Sequence, residues 1–197
     1  MPEPSTRERI LDAALASFGT RGYEATSLDA LGAGLGVSKQ TILHHFGSKE
    51  RLLDTVIDRS AEELSEVLES ALAGAGKGFD HIEALVRAVF RLAARRPELL
   101  GLLREVSRLG PPAATRLVDC LEPLVERAKA FLAAEMADGN VRQQDPRLLL
   151  LSAYSTVIGV ATEVEVLRAV GIEPSARSLV RRRNELLAFL RSALLSD

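Results

Sequence analysis

The run Leu35-Gly36-Val37-Ser38-Lys39-Gln40-Thr41-Ile42-Leu43-His44-His45-Phe46-Gly47-Ser48-Lys49 limits what this chain can fold into more than any other stretch. A glycine turn leads to a serine suited to cap a helix, the helix lasts barely two turns, and a second glycine and serine end it and open the next. Isolated helices below ~12 residues are marginal in water, so this one must be held by packing of Val37, Ile42 and Phe46 on its neighbours. Its remaining side chains are left free. Two helices joined by a glycine-containing turn form a helix-turn-helix, whose second helix lies in the major groove of DNA.

The flanking sequence reads as helix throughout. Aromatic residues are only 4% of the 197 residues, and the abundance of Ala, Leu, Arg and Glu favours an all-α fold. Ser5 and Glu8 form a capping box ahead of Ile10, Leu11, Ala14, Leu15 and Phe18, predicting a first helix to about Thr20 with Gly22 as a left-handed cap. Thr26 or Ser27 can cap a second helix through Leu28, Leu31 and Leu35, ending at Gly36. Ser38 caps the third and Ser48 a long fourth, which ends in Gly74-Ala75-Gly76-Lys77-Gly78. Further helices are expected from Phe79 to near Pro97, from Leu99 to Leu109, and from Ala113 to Ala137 with a kink at Pro123. Asp145-Pro146 opens a helix to about Val170, and Ser175 caps a last one to about Leu195.

The helix from Pro146 is apolar nearly all round, so it needs burial on two sides. Packing one face on its own domain and the other on a second subunit satisfies that need. Together with the final helix (Leu179, Leu186, Leu187, Leu190, Leu194) it predicts a two-fold dimer built on a four-helix bundle.

Other classes fit poorly. The apolar stretch from Leu148 to Thr162 is shorter than the ~20 residues that span a bilayer, and Met1-Pro2-Glu3-Pro4 does not read as a secretory leader, so no membrane association and a cytoplasmic location are expected. Cys120, the one cysteine, is read either as a small buried hydrophobe or as a redox thiol. Arg181-Arg182-Arg183 is read as an edge paired with carboxylates such as Glu163 or Glu165, with an anionic partner as the alternative. No Gly-rich phosphate loop, metal-ligand helix motif or nucleophile-base set is legible, so neither an enzyme nor a cofactor or metal site is expected.

Phe18, Gly22, Tyr23, Thr26, Leu31, Gly36-Val37-Ser38, Thr41-Ile42, His45-Phe46 and Ser48-Lys49-Glu50, followed by Leu52-Leu53, resemble the N-terminal signature of the TetR/AcrR family of bacterial transcriptional regulators. The resemblance covers about the first quarter of the chain. It implies a three-helix DNA-binding domain over residues 1–50 and a helical-bundle domain over 51–197 for ligand binding and dimerisation. It also implies a double-stranded palindromic operator, a homodimer through the two C-terminal helices, and repression relieved by a small-molecule effector. The alternative is a regulator whose C-terminal domain only dimerises or binds a protein.

On the resemblance, Lys39, Gln40, Thr41 and His44 occupy the exposed positions of the recognition helix, with His45 at its edge. Lysine can donate to guanine O6 or N7, and glutamine can pair with adenine N6 and N7. Thr26, Ser27 and Lys49 are expected at phosphates. Leu43 stands where the family usually has a tyrosine that touches the DNA backbone, so an apolar contact is expected there instead. Tyr23 is expected to pack between the first and fourth helices. An effector site among the helices from Phe79 to Tyr154, with Phe90, Cys120 and Tyr154 as possible lining, would suit an apolar or amphipathic molecule.

Net charge is −2 overall, against the usual basic footprint of a DNA-binding protein. Between Thr26 and Lys49, however, two lysines face the single carboxylate of Asp29. Local placement outweighs net charge within a Debye length of about 8 Å, because exposed charges farther apart than that are largely screened. So modest a basic excess predicts few phosphate contacts per subunit.

Overall fold

The computed structural model describes residues 4–195, so Met1, Pro2 and Glu3, on which the expected lack of a secretory leader partly rests, lie outside the described residues. Those described form ten helices and no strand: α1 (Thr6–Arg21), α2 (Leu28–Leu35), α3 (Lys39–Phe46), α4 (Lys49–Ala73), α5 (Phe79–Arg95), α6 (Pro97–Leu109), α7 (Ala113–Ala137), α8 (Pro146–Thr162), α9 (Val164–Ala169) and α10 (Ala176–Leu194). No helix among them is long and apolar enough to cross a membrane.

Helix starts follow local hydrogen-bond chemistry. The Ser5 hydroxyl accepts from the Glu8 amide at 3.3 Å while the Ser5 amide donates to the Glu8 carboxylate at 2.7 Å. Ser27, Ser38 and Ser48 accept from the amides of Ala30, Thr41 and Arg51 at 3.1, 3.0 and 3.2 Å. Asp145 accepts from the Arg147 amide at 2.9 Å with Pro146 in the first turn, and Ser175 caps α10. Each such cap stabilises its helix by about 1 kcal/mol.

Two compact units emerge. The first joins residues 4–63 to Arg96–Leu121, and the second joins Leu64–Arg95 to residues 122–195. The first passage between them thus falls inside α4, and the 96–121 segment clusters with the N-terminal helices.

Within the first unit α6 lies directly on α1. A Cβ on Gly19 would overlap the Glu98 carbonyl, and one on Gly101 would overlap the carbonyl of Gly19. Glycine in a helix interior costs about 1 kcal/mol relative to alanine. Here it is offset by backbone contact that lets Ile10, Phe18, Leu99, Leu100 and Leu102 bury almost completely. Gly22 has positive φ (88°) but extended ψ (162°), so the left-handed cap expected there is replaced by an extended exit. The exit brings the Tyr23 amide to the Glu105 carboxylate of α6 at 2.7 Å. A hydrogen bond from Arg108, ahead of the one from Tyr23, holds the Glu105 carboxyl below its usual range.

In the second unit α5, α8 and α10 pack around Phe79, Val86, Phe90, Leu149, Val157, Leu186 and Leu190. The single helix expected from Pro146 to Val170 is broken at Glu163 (φ −79°, ψ 78°), giving α8 and α9. Val157, Ile158, Val160, Thr162, Val164 and Val166 are β-branched, with Gly159 among them, so intrinsic helix preference is low where the apolar pattern suggested continuity. The last turn of α8 still closes normally, with Gly159 accepting from the Glu163 amide and Ile158 also from the Thr162 hydroxyl, while the Val160 carbonyl accepts from the Arg182 guanidinium. Arg182, the middle of the arginine run, is therefore a helix-end cap, while Glu165 pairs with Arg168 at 2.6 Å. α7 continues through Pro123.

Candidate nucleic-acid interface

The α2-turn-α3 segment is held from below. Gly36, in left-handed geometry (φ 69°, ψ 30°), reverses the chain after α2, and the Val37 amide returns to the Gly32 carbonyl at 3.0 Å. Arg9 of α1 donates to the Leu35 carbonyl at 3.0 Å, satisfying the end of α2. Ile42 is wholly buried and Phe46 nearly so, at positions i and i+4, which fixes the rotation of α3 about its axis. Lys39, Gln40, His44 and His45 are left exposed, with Thr41 and Leu43 half-buried between them. The side chains that can read a base thus share one short helix whose opposite stripe is locked in a core.

The N-terminal side of this surface requires one correction. Thr26 is 1% exposed, and its hydroxyl is engaged with Ser17 at 2.7 Å and the Gly22 carbonyl at 2.8 Å. It ties α1 to the start of α2 and offers nothing to a phosphate, contrary to expectation. Adjacent Ser27 is exposed and caps α2.

Lys49, at the start of α4, sits with its ammonium 4.1 Å from the centroid of the Tyr23 ring. Tyr23 packs against Phe18 (5.4 Å between centroids), and its hydroxyl lies 3.4 Å from the Glu50 carboxylate. Burial, then the negative charge of Glu50, pushes the Tyr23 phenol up to about 12. Tyr23 therefore carries Lys49 as an aromatic platform.

Arg7 places its guanidinium 5.3 Å from the centroid of Phe46, beside the end of α3. It is an exposed cation that sequence reasoning missed, because the contact joins residues distant in the chain and has no local signal. Lys39, at the first position of α3, makes a 3.2 Å ion pair with Asp29 of α2.

Phe90 is packed in the second unit's core, Tyr154 is 48% exposed, and Cys120 stands in the first unit with its thiol 3.5 Å from Asp58. Burial, then the hydrogen bond to Asp58, pushes the Cys120 thiol up, opposite to the shift a reactive thiolate needs. Asp58 is gripped by the Arg116 guanidinium at 2.7 and 2.6 Å, which holds its carboxyl low. An open groove of about 310 Å³ lies between α1 and α2, lined by Ala13, Ala16, Thr20, Leu31 and Leu35.

The second unit exposes large apolar side chains on the helices expected to pair: Leu148 (63%) and Leu151 (58%) on α8, and Val180 (49%) and Phe189 (60%) on α10.

Residues 10–56 match the family model for bacterial regulatory proteins of the tetR family. The chain is 33% identical over 99 residues to the HTH-type transcriptional regulator BetI of Rhizobium meliloti (strain 1021), a match covering 50% of this chain and 49% of that protein. It is thus aligned with about half the length of that relative. It is 29% identical over 147 residues to the HTH-type transcriptional regulator AlkX of Mycobacterium tuberculosis, covering 74% of this chain and 69% of the relative. Among solved structures, the ketosteroid transcriptional regulator KstR2 of Mycobacterium tuberculosis has a similar fold, with a TM-score of 0.80 at 18% identity over 100% of this chain and 98% of that one.

Proposed function

The chain belongs to the TetR family of bacterial regulatory proteins, and from that premise we propose that it is a homodimeric, DNA-binding transcriptional repressor released from a palindromic operator by a small molecule. It acts as a regulator and not as an enzyme. The observation that carries this reading is the exposed row Lys39, Gln40 and His44 on a helix whose other stripe, Ile42 and Phe46, is buried.

Lys39 and Gln40 read base edges, and Thr41, Leu43, His44 and His45 line the groove around them. Ser27, Lys49 and Arg7 meet the phosphates, the last two from aromatic supports that restrict their motion. With so few cations per subunit, affinity depends on two copies bound to two half-sites and falls with salt at a shallow slope.

Residues 1–50 hold the DNA-reading parts, and residues 51–197 serve effector binding and dimerisation. The second copy docks through α8 and α10, whose exposed Leu148, Leu151, Val180 and Phe189 an isolated subunit would leave in water. The effector is apolar or amphipathic, consistent with the apolar composition of the second unit. It releases the operator by preferring a dimer whose recognition helices no longer fit successive major grooves. If the C-terminal region only dimerises, no small molecule will change operator affinity.

Selection of bound duplexes from a random pool tests the DNA-reading assignment. The parent should enrich an inverted repeat, Lys39→Ala should change the enriched bases, and Lys49→Ala should weaken all sequences about equally. No enrichment and no binding at low salt would overturn it.

A further inference from the structure

The pair between Lys39 and Asp29 has a role that the DNA-binding reading leaves open. Both side chains are exposed, Lys39 51% and Asp29 72%, at the first position of α3 and in the first turn of α2. A carboxylate facing DNA repels phosphate, so it weakens binding unless it performs some other task. Lysine is a flexible point charge that an isolated phosphate attracts as readily as a base does. Its ammonium has three N–H donors. One is directed to Asp29 Oδ2 at 3.2 Å, which leaves two for acceptors in the groove.

We infer that Asp29 is a positioning residue for sequence discrimination: it holds the Lys39 ammonium toward base acceptors such as guanine O6 and N7 and away from the phosphate backbone. The inference rests on the reading of Lys39 as a base-contacting residue. With the pair intact, Lys39 adds to operator binding through its two remaining donors and contributes little to binding of arbitrary sequence. With Asp29 neutralised, Lys39 swings freely and becomes an ordinary phosphate contact. Specificity is the ratio of the two affinities, and restraining a cation from the wrong partner raises that ratio without any new contact to the right one.

The test uses the full chain and two duplexes, the selected operator and a scrambled one, in fluorescence anisotropy titrations across salt. Asp29→Asn should bind scrambled DNA roughly three- to five-fold more tightly per protomer, the range an exposed ion pair commands, with no matching gain on the operator. The salt slope on scrambled DNA should steepen by about 0.9 per protomer. Asp29→Glu should preserve the parent ratio, and in a Lys39→Ala background Asp29→Asn should leave the operator-to-scrambled ratio unchanged. Circular dichroism verifies that each variant is folded.

An equal gain on both duplexes would mean that Asp29 acts only by bulk repulsion, and it would overturn the inference. So would an equal loss of ratio in the Lys39→Ala background. If Lys39→Ala alone leaves base preference intact while DNA is still bound, the base-contact assignment of Lys39 fails first, a result separable from failure of the Asp29 role.

Discussion

The two compact units leave opposite kinds of surface unsatisfied. In the first, the exposed side chains around α3 are polar or cationic, and three cations there have a neighbour: Lys39 pairs with Asp29, Lys49 lies over Tyr23 and Arg7 over Phe46. In the second, α8 and α10 leave Leu148, Leu151, Val180 and Phe189 in solvent. A row of positioned hydrogen-bond donors fits a polyanion with patterned acceptors. An apolar band fits another apolar band. The chemistry of what remains unsatisfied is what the proposed function draws on, with DNA at one unit and a second copy of the chain at the other.

That contrast breaks most visibly if the apolar band is charged. Leu151→Glu with Phe189→Glu should give a helical monomer by sedimentation, since two-fold symmetry places each unpaired carboxylate in the interface twice, at a cost on the order of 4 kcal/mol or more per dimer. Operator affinity should fall at least a hundred-fold with it, while scrambled-DNA affinity per protomer changes little.

The first unit should break from within through Ile42→Ala, which removes a fully buried branched side chain from an eight-residue helix. About 3 kcal/mol of stability should be lost, read as a lower midpoint in thermal denaturation. Gly19→Ala should cost less, about 2 kcal/mol, because α1 and α6 must separate to admit a methyl group against the Glu98 carbonyl. Ser38→Ala should cost about 1 kcal/mol and loosen the first turn of α3, where Lys39 and Gln40 sit.

The smallest expected effect lies at the start of α8. Hydrogen bonds from the Arg147 side chain hold the Asp145 carboxyl down to about 2. A carboxylate with a depressed folded-state pKa stabilises the fold above its ordinary range near pH 4, and that stabilisation fades as pH falls through the folded value. Carboxyl resonances followed by NMR should show Asp145 titrating near pH 2 in the parent and closer to pH 4 in Arg147→Ala.

The same division explains what could be read from sequence. Ser5 with Glu8, Ser38, Ser48, Asp145-Pro146 and Ser175 mark helix starts correctly, and Ser27 is the one of the Thr26/Ser27 pair that caps α2, because a cap is chemistry among residues two or three apart. The rotation of α3 was legible too, since Ile42 and Phe46 share a face by spacing alone. Thr26 was misjudged because its burial depends on Ser17 across the α1-α2 corner. The end of α8 at Thr162 is hidden from the hydrophobic pattern, which runs on past it, and is signalled only by the β-branched residues around Gly159. The membership of α6 in the first unit depends on Gly19 and Gly101 meeting across a long sequence separation. The sequence carries a sign of it only in a glycine inside each helix, Gly19 in the last turn of α1 and Gly101 within α6. Arg7 on Phe46 and Asp29 on Lys39 left no such sign.

The most direct test of the central claim is a titration of the full chain against the selected operator and against the same duplex with one half-site scrambled, with bound stoichiometry measured at low and moderate salt. Two protomers should bind the intact site together, with most of the affinity lost when either half is scrambled, since the proposed function has each α3 read one major groove about one helical turn from the other. Equal binding to the two duplexes, or no binding at low salt, would contradict it.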